Sequence, residues 1–198
     1  MVFYAVKIGR NSGIYETWDE CQEQVIGFKG SKYKKFKTYE EAADFIEEKG
    51  SFQRPKENNL KANEMVAYVD GSFDLRNRTY SYGVVLLTDE GKETYSGRDN
   101  DEELALMRNV SGEIKGAMVA MDMALKKGKD TLYIYYDYAG IEHWAKGEWK
   151  TNKEGTKNYK EYYDQLRDKL NVVFVKVKAH SGVKYNEEAD KLAKEAIM

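Results

Sequence analysis

The sequence predicts an α/β protein: a mixed five-stranded sheet flanked by helices, preceded by a small α+β domain. Two observations lead to this prediction. In the C-terminal part, an antiparallel hairpin is followed by alternating helix and strand patterns, the order that gives a mixed sheet covered by helices. Residues 1–48 instead follow the order strand, strand, helix, strand, helix, which predicts a three-stranded sheet with two helices.

The small domain is predicted from strand alternation and from helix starts. The strand candidates are VFYAVKIG, GIYE and YKKFK. Residues 17–20 (TWDE) and 38–41 (TYEE) match capping boxes, so helices are expected directly after Thr17 and Thr38. Residues 49–63 contain the only proline and show little periodicity, which predicts a flexible linker.

Residues 64–198 supply the five strands of the larger domain. The strand candidates are EMVAYVDGSF, the two arms of a hairpin that turns at residues 89–91, DTLYIYYD and NVVFVKVKAH. Apolar periodicity predicts helices at about residues 111–127, 159–170 and 186–197, with a short helix in YAGIEHWAKG. Residues 101–109 fit no single pattern.

Composition narrows the class of protein. Apolar residues make up 41% and charged residues 33% of the 198 residues, which is typical of a soluble globular chain. No apolar stretch approaches the roughly 18 residues of a membrane span, and the N-terminus resembles neither a signal nor a transit peptide. The single cysteine, Cys21, forbids an internal disulfide and fits a reducing compartment, so a cytoplasmic location is expected. We expect Cys21 to be a small apolar residue on a buried helix face rather than a nucleophile.

Four carboxylates stand in recognisable local settings: Asp70, Glu113, Asp137 and Asp190. Two are expected to close strands and two to lie on helices, so all four can converge at one end of the sheet. Their mutual repulsion would cost stability unless cations were bound, and carboxylate oxygens suit hard ions such as Mg²⁺. A pair of such ions indicates phosphodiester hydrolysis. Taken singly, each acid is more simply a solvated charge.

The two histidines receive different interpretations. His180 follows an apolar strand and begins a loop that leads back to Asp190, where it could handle protons near neutral pH or assist product release. His143 is expected to be a surface helix residue beside a buried Trp144.

Net charge is −2, yet residues 28–37 (FKGSKYKKFK) combine five lysines with three aromatic residues and no acid. This composition is typical of surfaces that grip phosphates together with sugars or bases. Taken alone, the segment is more simply explained as an amphipathic edge strand with its lysines in water.

The motifs of residues 64–198 resemble type 1 ribonuclease H: DGS, a helix glutamate, a strand-end aspartate, then AHSG with NEEAD. The resemblance implies an enzyme that cuts the RNA strand of RNA–DNA hybrids with two Mg²⁺, or Mn²⁺ as a substitute, leaving 5′-phosphate and 3′-hydroxyl ends. It implies that the four carboxylates are the metal ligands. It also implies that His180 is the flexible-loop histidine and that Asn109 contacts RNA.

About residues 3–46 resemble the hybrid-binding domain that precedes the nuclease in many members of that family. The resemblance implies that Trp18 and Tyr33 pack on DNA sugars and that Lys34 and Lys35 hold phosphates. The expected partner is an RNA–DNA hybrid, with double-stranded RNA as a second ligand, and no oligomer is required.

The chain departs from the family pattern at three places. Tyr138 and Ala139 follow the strand-end aspartate where many relatives have Asp-Ser. The segment HWAKGEWKTNKEGTKNY lacks the extended basic helix and loop of some relatives. Gly112 stands where alanine is common.

Two alternatives to the hybrid nuclease remain at this point. One is an inactive nuclease-like domain that only binds hybrids or double-stranded RNA. The other is a nuclease with a similar metal core that acts on DNA, such as an integrase or resolvase. The N-terminal segment and the AHSG motif argue against the DNA enzyme.

Overall fold

The computed structural model describes residues 2–46, 60–177 and 182–197. The chain forms two compact units that divide between Arg54 and Pro55. Most of the predicted linker lies outside the described residues; of its last four residues, Leu60 is buried in the core of the larger unit. Within the described chain, no helix combines the length and apolar character needed to cross a membrane.

The smaller unit has the predicted element order. Its elements are β1 (Phe3–Ile8), β2 (Gly13–Tyr15), α1 (Trp18–Val25), β3 (Lys32–Phe36) and α2 (Tyr39–Ile46). The strands form an antiparallel sheet in the order β2-β1-β3.

Local hydrogen bonds explain where the two helices begin. The Glu20 amide donates to the Thr17 hydroxyl over 3.3 Å, and the Glu20 carboxylate accepts from the Thr17 amide, which completes the predicted capping box. At α2 the Glu41 amide donates to the Thr38 hydroxyl over 3.2 Å. The Glu41 carboxylate accepts from the Lys37 amide instead of from the Thr38 amide, a variation on the predicted box.

The two helices of the smaller unit cover opposite faces of its sheet, because successive strand residues point to opposite sides. Val6 packs with Cys21 and Val25 of α1, whereas Ala5 packs with Ala42 of α2. Cys21 is fully buried, as predicted for a small apolar residue on the inner face of its helix.

The larger unit contains the predicted mixed five-stranded sheet, in the order β6-β5-β4-β7-β8. Its strands are β4 (Glu64–Asp74), β5 (Thr79–Thr88), β6 (Gly91–Asp99), β7 (Thr131–Tyr136) and β8 (Asn171–Lys176). Its helices are α3 (Glu102–Ala105), α4 (Asn109–Lys126), α5 (Gly140–Ala145), α6 (Glu154–Leu166) and α7 (Lys184–Ile197). Strands β4, β5 and β6 pair antiparallel, whereas β4, β7 and β8 pair parallel.

Two cores lie on the two faces of this sheet. On one face, residues such as Val69, Leu86 and Ile134 pack with Met121 of α4 and Tyr159 of α6. On the other face, residues such as Tyr68 and Val85 pack with α7 through Ala189. The sheet is therefore the middle layer, and α4 and α7 approach it from opposite sides.

Several element boundaries differ from the sequence prediction. Helix α6 begins at Glu154, earlier than predicted, because the Thr156 hydroxyl pairs with the backbone of Lys153 at its first turn. Residues 101–109, which had no assignment, include the short helix α3 and the start of α4. At the start of α3 the Leu104 amide donates a hydrogen bond to the Asp101 carboxylate.

Candidate active site

Asp70 lies in the interior of β4, not at its end as the sequence suggested. The parallel pairing of β4 with β7 stops at Tyr68 and Tyr135, and β4 continues beyond it while pairing only with β5. Asp137 directly follows β7. The two aspartates therefore stand next to each other at the carboxyl end of β7, where open α/β sheets place their ligands.

Glu113 reaches the same place because α4 lies unusually close to the sheet. A Cβ on Gly112 would lie 1.9 Å from the Ser81 carbonyl oxygen and 2.9 Å from the Gly71 Cα. Gly71 is equally confined, since its Cβ would lie 2.2 Å from the Asn109 carbonyl oxygen. Glycine at both positions thus allows the helix and β4 to touch backbone to backbone.

The sequence predicted a helix start near residue 111, which would put Glu113 in the first turn. Helix α4 instead begins at Asn109, so Glu113 lies beyond the first turn. The Asn109 side-chain amide donates to Glu113 Oε1 over 3.3 Å. Asn109 is therefore the first residue of the helix and also contacts a predicted metal ligand. Arg108, immediately before it, has a positive φ of 57°, which is uncommon for a residue other than glycine.

Asp70, Glu113 and Asp137 form a compact group. Each offers an oxygen that lies within 4.8 Å of those of the other two. Asp70 and Glu113 are buried, with only 8% and 3% of their surface exposed. Glu113 Oε2 is buried and accepts no hydrogen bond from the described residues. A buried carboxylate oxygen without a donor is costly, so the group fits a cation that would supply the missing partner.

Burial and crowding shift the protonation of this group. Burial, then the charge of Asp137, raises the pKa of Asp70 to about 7, although the Gly71 amide opposes the shift by donating to Asp70 Oδ1 over 2.7 Å. Burial, followed by the charges of Asp137 and Asp70, raises the pKa of Glu113 to about 9. Without a cation the group therefore retains protons near neutral pH.

Asp190 lies outside this compact group. It lies on α7, which rests against β5: a Cβ on Gly83 would lie 2.1 Å from the Ala189 carbonyl oxygen. The Ser81 hydroxyl also donates to the Ala193 carbonyl over 2.6 Å. The charge of Asp190 acts on Asp70, but its Oδ2 accepts from Lys194 Nζ over 2.7 Å.

The other predicted residues of this unit are placed as follows. His180 lies outside the described residues. His143 is half-exposed, with its ring stacked on Trp149 at 4.9 Å and its Nδ1 2.5 Å from Glu148 Oε2. Trp144, expected to be buried, is only half-buried, because its ring lies among those of Tyr138 and Trp149 at the surface.

A cleft of 380 Å³ that the sequence analysis did not identify shares Asn109 with the carboxylate site. Its polar and charged lining residues are Arg108, Asn109, Tyr138, Lys150, Asn152, Lys153 and Thr156. Three of these are cationic, so the cleft suits an anion such as a backbone phosphate. Lys150 and Lys153 come from the short segment that lacks a long basic helix. Their charge was visible in the sequence, but their convergence with Arg108 depends on the fold.

The smaller unit presents an exposed aromatic pair. Trp18 of α1 and Tyr33 of β3 are 39% and 44% exposed, and their ring centroids lie 5.8 Å apart. The half-buried ring of Tyr4 lies 5.6 Å from that of Trp18, which extends the pair into a row of three.

The two predicted phosphate-binding lysines lie on different faces of the smaller sheet. Lys35 opposes Tyr4 across the sheet, and its Nζ lies 5.7 Å from the Tyr4 ring, on the side of the aromatic row. Lys34 has its Nζ 5.4 Å from the ring of Phe36, which packs in the α2-side core. Only Lys35 therefore shares a face with Trp18.

Two family models match the chain. Residues 2–46 match the family described as the ribonuclease H1 N-terminal domain, and residues 62–198 match the RNase H family. Human ribonuclease H1 is 28% identical over 98% of this chain and 88% of its own length. Ribonuclease H of Schizosaccharomyces pombe is 32% identical over 73% of this chain and 50% of its own length.

Solved structures agree at the level of the fold. RNase H1 from the halophilic archaeon Halobacterium salinarum superposes with a TM-score of 0.56 at 22% identity, covering 68% of this chain and 97% of that one. LC11-RNase H1, solved in complex with an RNA/DNA hybrid, gives a TM-score of 0.53 at 15% identity, covering 68% and 99%. Because the RNase H model spans more than half of the chain, this protein belongs to the ribonuclease H family and is a ribonuclease H enzyme.

Proposed function

We propose that this protein is an endoribonuclease that hydrolyses the RNA strand of RNA–DNA hybrids with two divalent cations, leaving 5′-phosphate and 3′-hydroxyl ends. The observation that carries the proposal is the buried Glu113 oxygen that lacks a hydrogen-bond donor among the described residues, within the compact group of three carboxylates. A purely structural acid in that position would be neutralised by a nearby cationic side chain or a set of donors.

The chain's own residues divide the work at this site. Asp70, Glu113 and Asp137 would hold one ion, and Asp190 would contribute to a second beside Asp70. When bound, a pair of Mg²⁺ ions supplies an activated water and stabilises the leaving oxygen of an in-line displacement. Asn109 fixes Glu113 through its 3.3 Å hydrogen bond, so the carboxylate keeps one orientation. His180, which lies outside the described residues, would handle protons or help the product leave.

The substrate is proposed from charge and from the relatives. The cationic cleft that shares Asn109 with the site suits a backbone phosphate. The structure of LC11-RNase H1 contains a bound RNA/DNA hybrid, which supports the same duplex class here. The row of Tyr4, Trp18 and Tyr33 offers flat surfaces for sugars, with Lys35 beside it for a phosphate. None of these contacts requires a particular base, so cleavage should depend little on sequence.

We further propose double-stranded RNA as a weaker ligand of the smaller unit, and a monomer in the cytoplasm as the working state. The buried free thiol of Cys21 agrees with a reducing compartment.

A cleavage assay on matched duplexes tests the function. End-labelled RNA–DNA hybrid, duplex RNA and duplex DNA of one sequence are incubated with the protein and Mg²⁺ or Mn²⁺. We expect cleavage of the hybrid RNA strand only. The products should change their gel mobility after phosphatase treatment, because the phosphatase removes their 5′-phosphates.

Two substitutions complete the test. Asp70→Asn should abolish cleavage and preserve hybrid binding. Asp122→Asn should cleave like the wild type, because Asp122 is a half-exposed acid on α4 that pairs with Lys126. Wild-type protein that binds hybrid but never cuts it with either metal would instead establish an inactive binding protein. Preferential cutting of duplex DNA would favour the integrase or resolvase class.

A further inference from the structure

Asp190 lies apart from the other three carboxylates and pairs with a cationic side chain. Among the described residues, Asp70, Glu113 and Asp137 form the only group of at least three potential ligands with oxygens mutually within 4.8 Å, and Asp190 is not part of it. Lys194, one turn further along α7, places its Nζ 2.7 Å from Asp190 Oδ2. One of the two carboxylate oxygens of Asp190 is therefore engaged by an ammonium group.

The Lys194 charge also acts on the centre of the site. The hydrogen bond with Asp190 is the main cause that raises the pKa of Lys194, and the negative charges of Asp190 and Asp70 add to it. Reciprocally, the positive charge of Lys194 stabilises ionised Asp70. Lys194 thus acts as a tethered counter-cation for the two carboxylates that would share a second ion.

We propose that Lys194 is a positioning residue that makes cation binding sequential, because its ammonium occupies Asp190 until a second divalent ion displaces it. The inference rests on the proposed two-ion function and adds an order of binding to it. The first ion would enter the compact group of Asp70, Glu113 and Asp137. The second would have to break the bond between Asp190 and Lys194 and then remain close to a positive charge.

Lys194 lowers the affinity for the second ion in two ways. Competition for Asp190 Oδ2 and repulsion between like charges act in the same direction, so the sign of the effect is fixed. The size is modest, because the Lys194 side chain is 59% exposed and water screens its charge. We expect removal of the charge to lower the dissociation constant of the second ion by about three- to tenfold and that of the first ion by less than about twofold.

Metal-binding calorimetry on the metal-free full chain tests the proposal, with Mn²⁺ and Mg²⁺ as the titrants. Wild type should show a tighter and a weaker site, and Lys194→Gln should bring the two dissociation constants closer together. Lys194→Arg keeps the charge and should behave like wild type. Lys191→Gln is the matched control, because Lys191 is an exposed lysine on the same helix that pairs with Glu195 at 3.6 Å instead of with Asp190.

The outcomes separate this inference from the proposed function. Two sites in wild type with no change of the weaker constant in Lys194→Gln would overturn the role of Lys194 and leave the nuclease intact. Appearance of a second site only in Lys194→Gln would support it. A weaker second ion in Lys194→Gln would also overturn it, since Lys194 would then assist binding. No binding of either metal to wild type, with no hybrid cleavage, would overturn both proposals.

Discussion

Replacing Gly112 by alanine would test whether the close approach of α4 to β4 sets the position of Glu113. The added Cβ would lie 1.9 Å from the Ser81 carbonyl oxygen, 1.5 Å short of the 3.4 Å at which ordinary contact begins. The neighbour on the strand is backbone and cannot rotate away. The first turns of α4, including Glu113, must therefore move outward by about 1 Å or more.

The free energy of unfolding and the activity should respond to different extents. Overpacking of this kind costs about 1–3 kcal/mol, while alanine gains roughly 1 kcal/mol over glycine within a helix. The net loss in the free energy of unfolding is therefore about 0–2 kcal/mol. Displacement of a catalytic group by about 1 Å costs on the order of a hundredfold in rate. Gly112→Ala should therefore fold and yet lose most hybrid cleavage.

Gly116, one turn further along α4, provides the matched control. A Cβ there would lie 3.4 Å from Val69 and 3.5 Å from Val84, which are ordinary contact distances. Gly116→Ala should gain up to about 1 kcal/mol in stability and retain wild-type cleavage. The assays are urea denaturation, Mn²⁺ calorimetry and the rate of cleavage of a labelled hybrid.

The result that would refute this reasoning is a Gly112→Ala protein with wild-type cleavage and wild-type Mn²⁺ affinity. The backbone contact between α4 and the sheet would then have no part in placing Glu113. Equal losses of activity in both glycine variants would also refute it, because the contact distances predict opposite behaviour.

Three further predictions concern pH, the smaller unit and a buried cation. In the folded protein the pKa values of Asp70 and Glu113, about 7 and 9, lie above the ordinary values of these residues. The protonated side chains therefore contribute fully to the free energy of unfolding below about pH 4, and this contribution is lost as pH rises towards 9. Chemical denaturation of the metal-free protein should show about 2–4 kcal/mol less stability at pH 8 than at pH 6, and Mg²⁺ should shrink the difference; a rise in stability with pH would contradict this. Lys35→Ala should weaken hybrid binding more than Lys34→Ala, and it should lower the salt slope of the affinity by about 0.7–0.9. Equal effects of the two substitutions would show that both faces of the smaller sheet contact the duplex. Lys129 is 8% exposed and donates to the Ala62 carbonyl over 2.5 Å and to Asp89 over 3.0 Å, so Lys129→Met should cost about 1–3 kcal/mol in urea denaturation without changing cleavage.

The element order and the family could be predicted from sequence because their signals are local. A capping box is a contact between residues three apart, and strand alternation and helical periodicity extend over a few neighbours. The helix starts after Thr17 and Thr38 were therefore predicted correctly, as was the hairpin formed by β5 and β6. The motifs around the four carboxylates are local in the same sense, so they indicated the nuclease family.

The predicted strand EMVAYVDGSF nearly matches β4, but the expectation that Asp70 closes that strand was wrong, because the deciding contact is not local. Strand β4 extends past Asp70 because β5 continues to pair with it after β7 has ended. Neither strand alone carries that information. The opposite faces of Lys34 and Lys35, by contrast, follow from the period of two of any strand, and the structure shows which face also holds the aromatic row.

By itself, the sequence determined which residue types are available for chemistry and which helices and strands present them. The tertiary structure decided the distances between them. It placed three carboxylates together and paired Asp190 with Lys194 outside that group. It also made Gly112, a position without sequence interpretation, the point where α4 contacts the sheet. These distances depend on backbone packing between elements far apart in the chain. In the sequence, only glycines and other small residues indicate where such packing occurs.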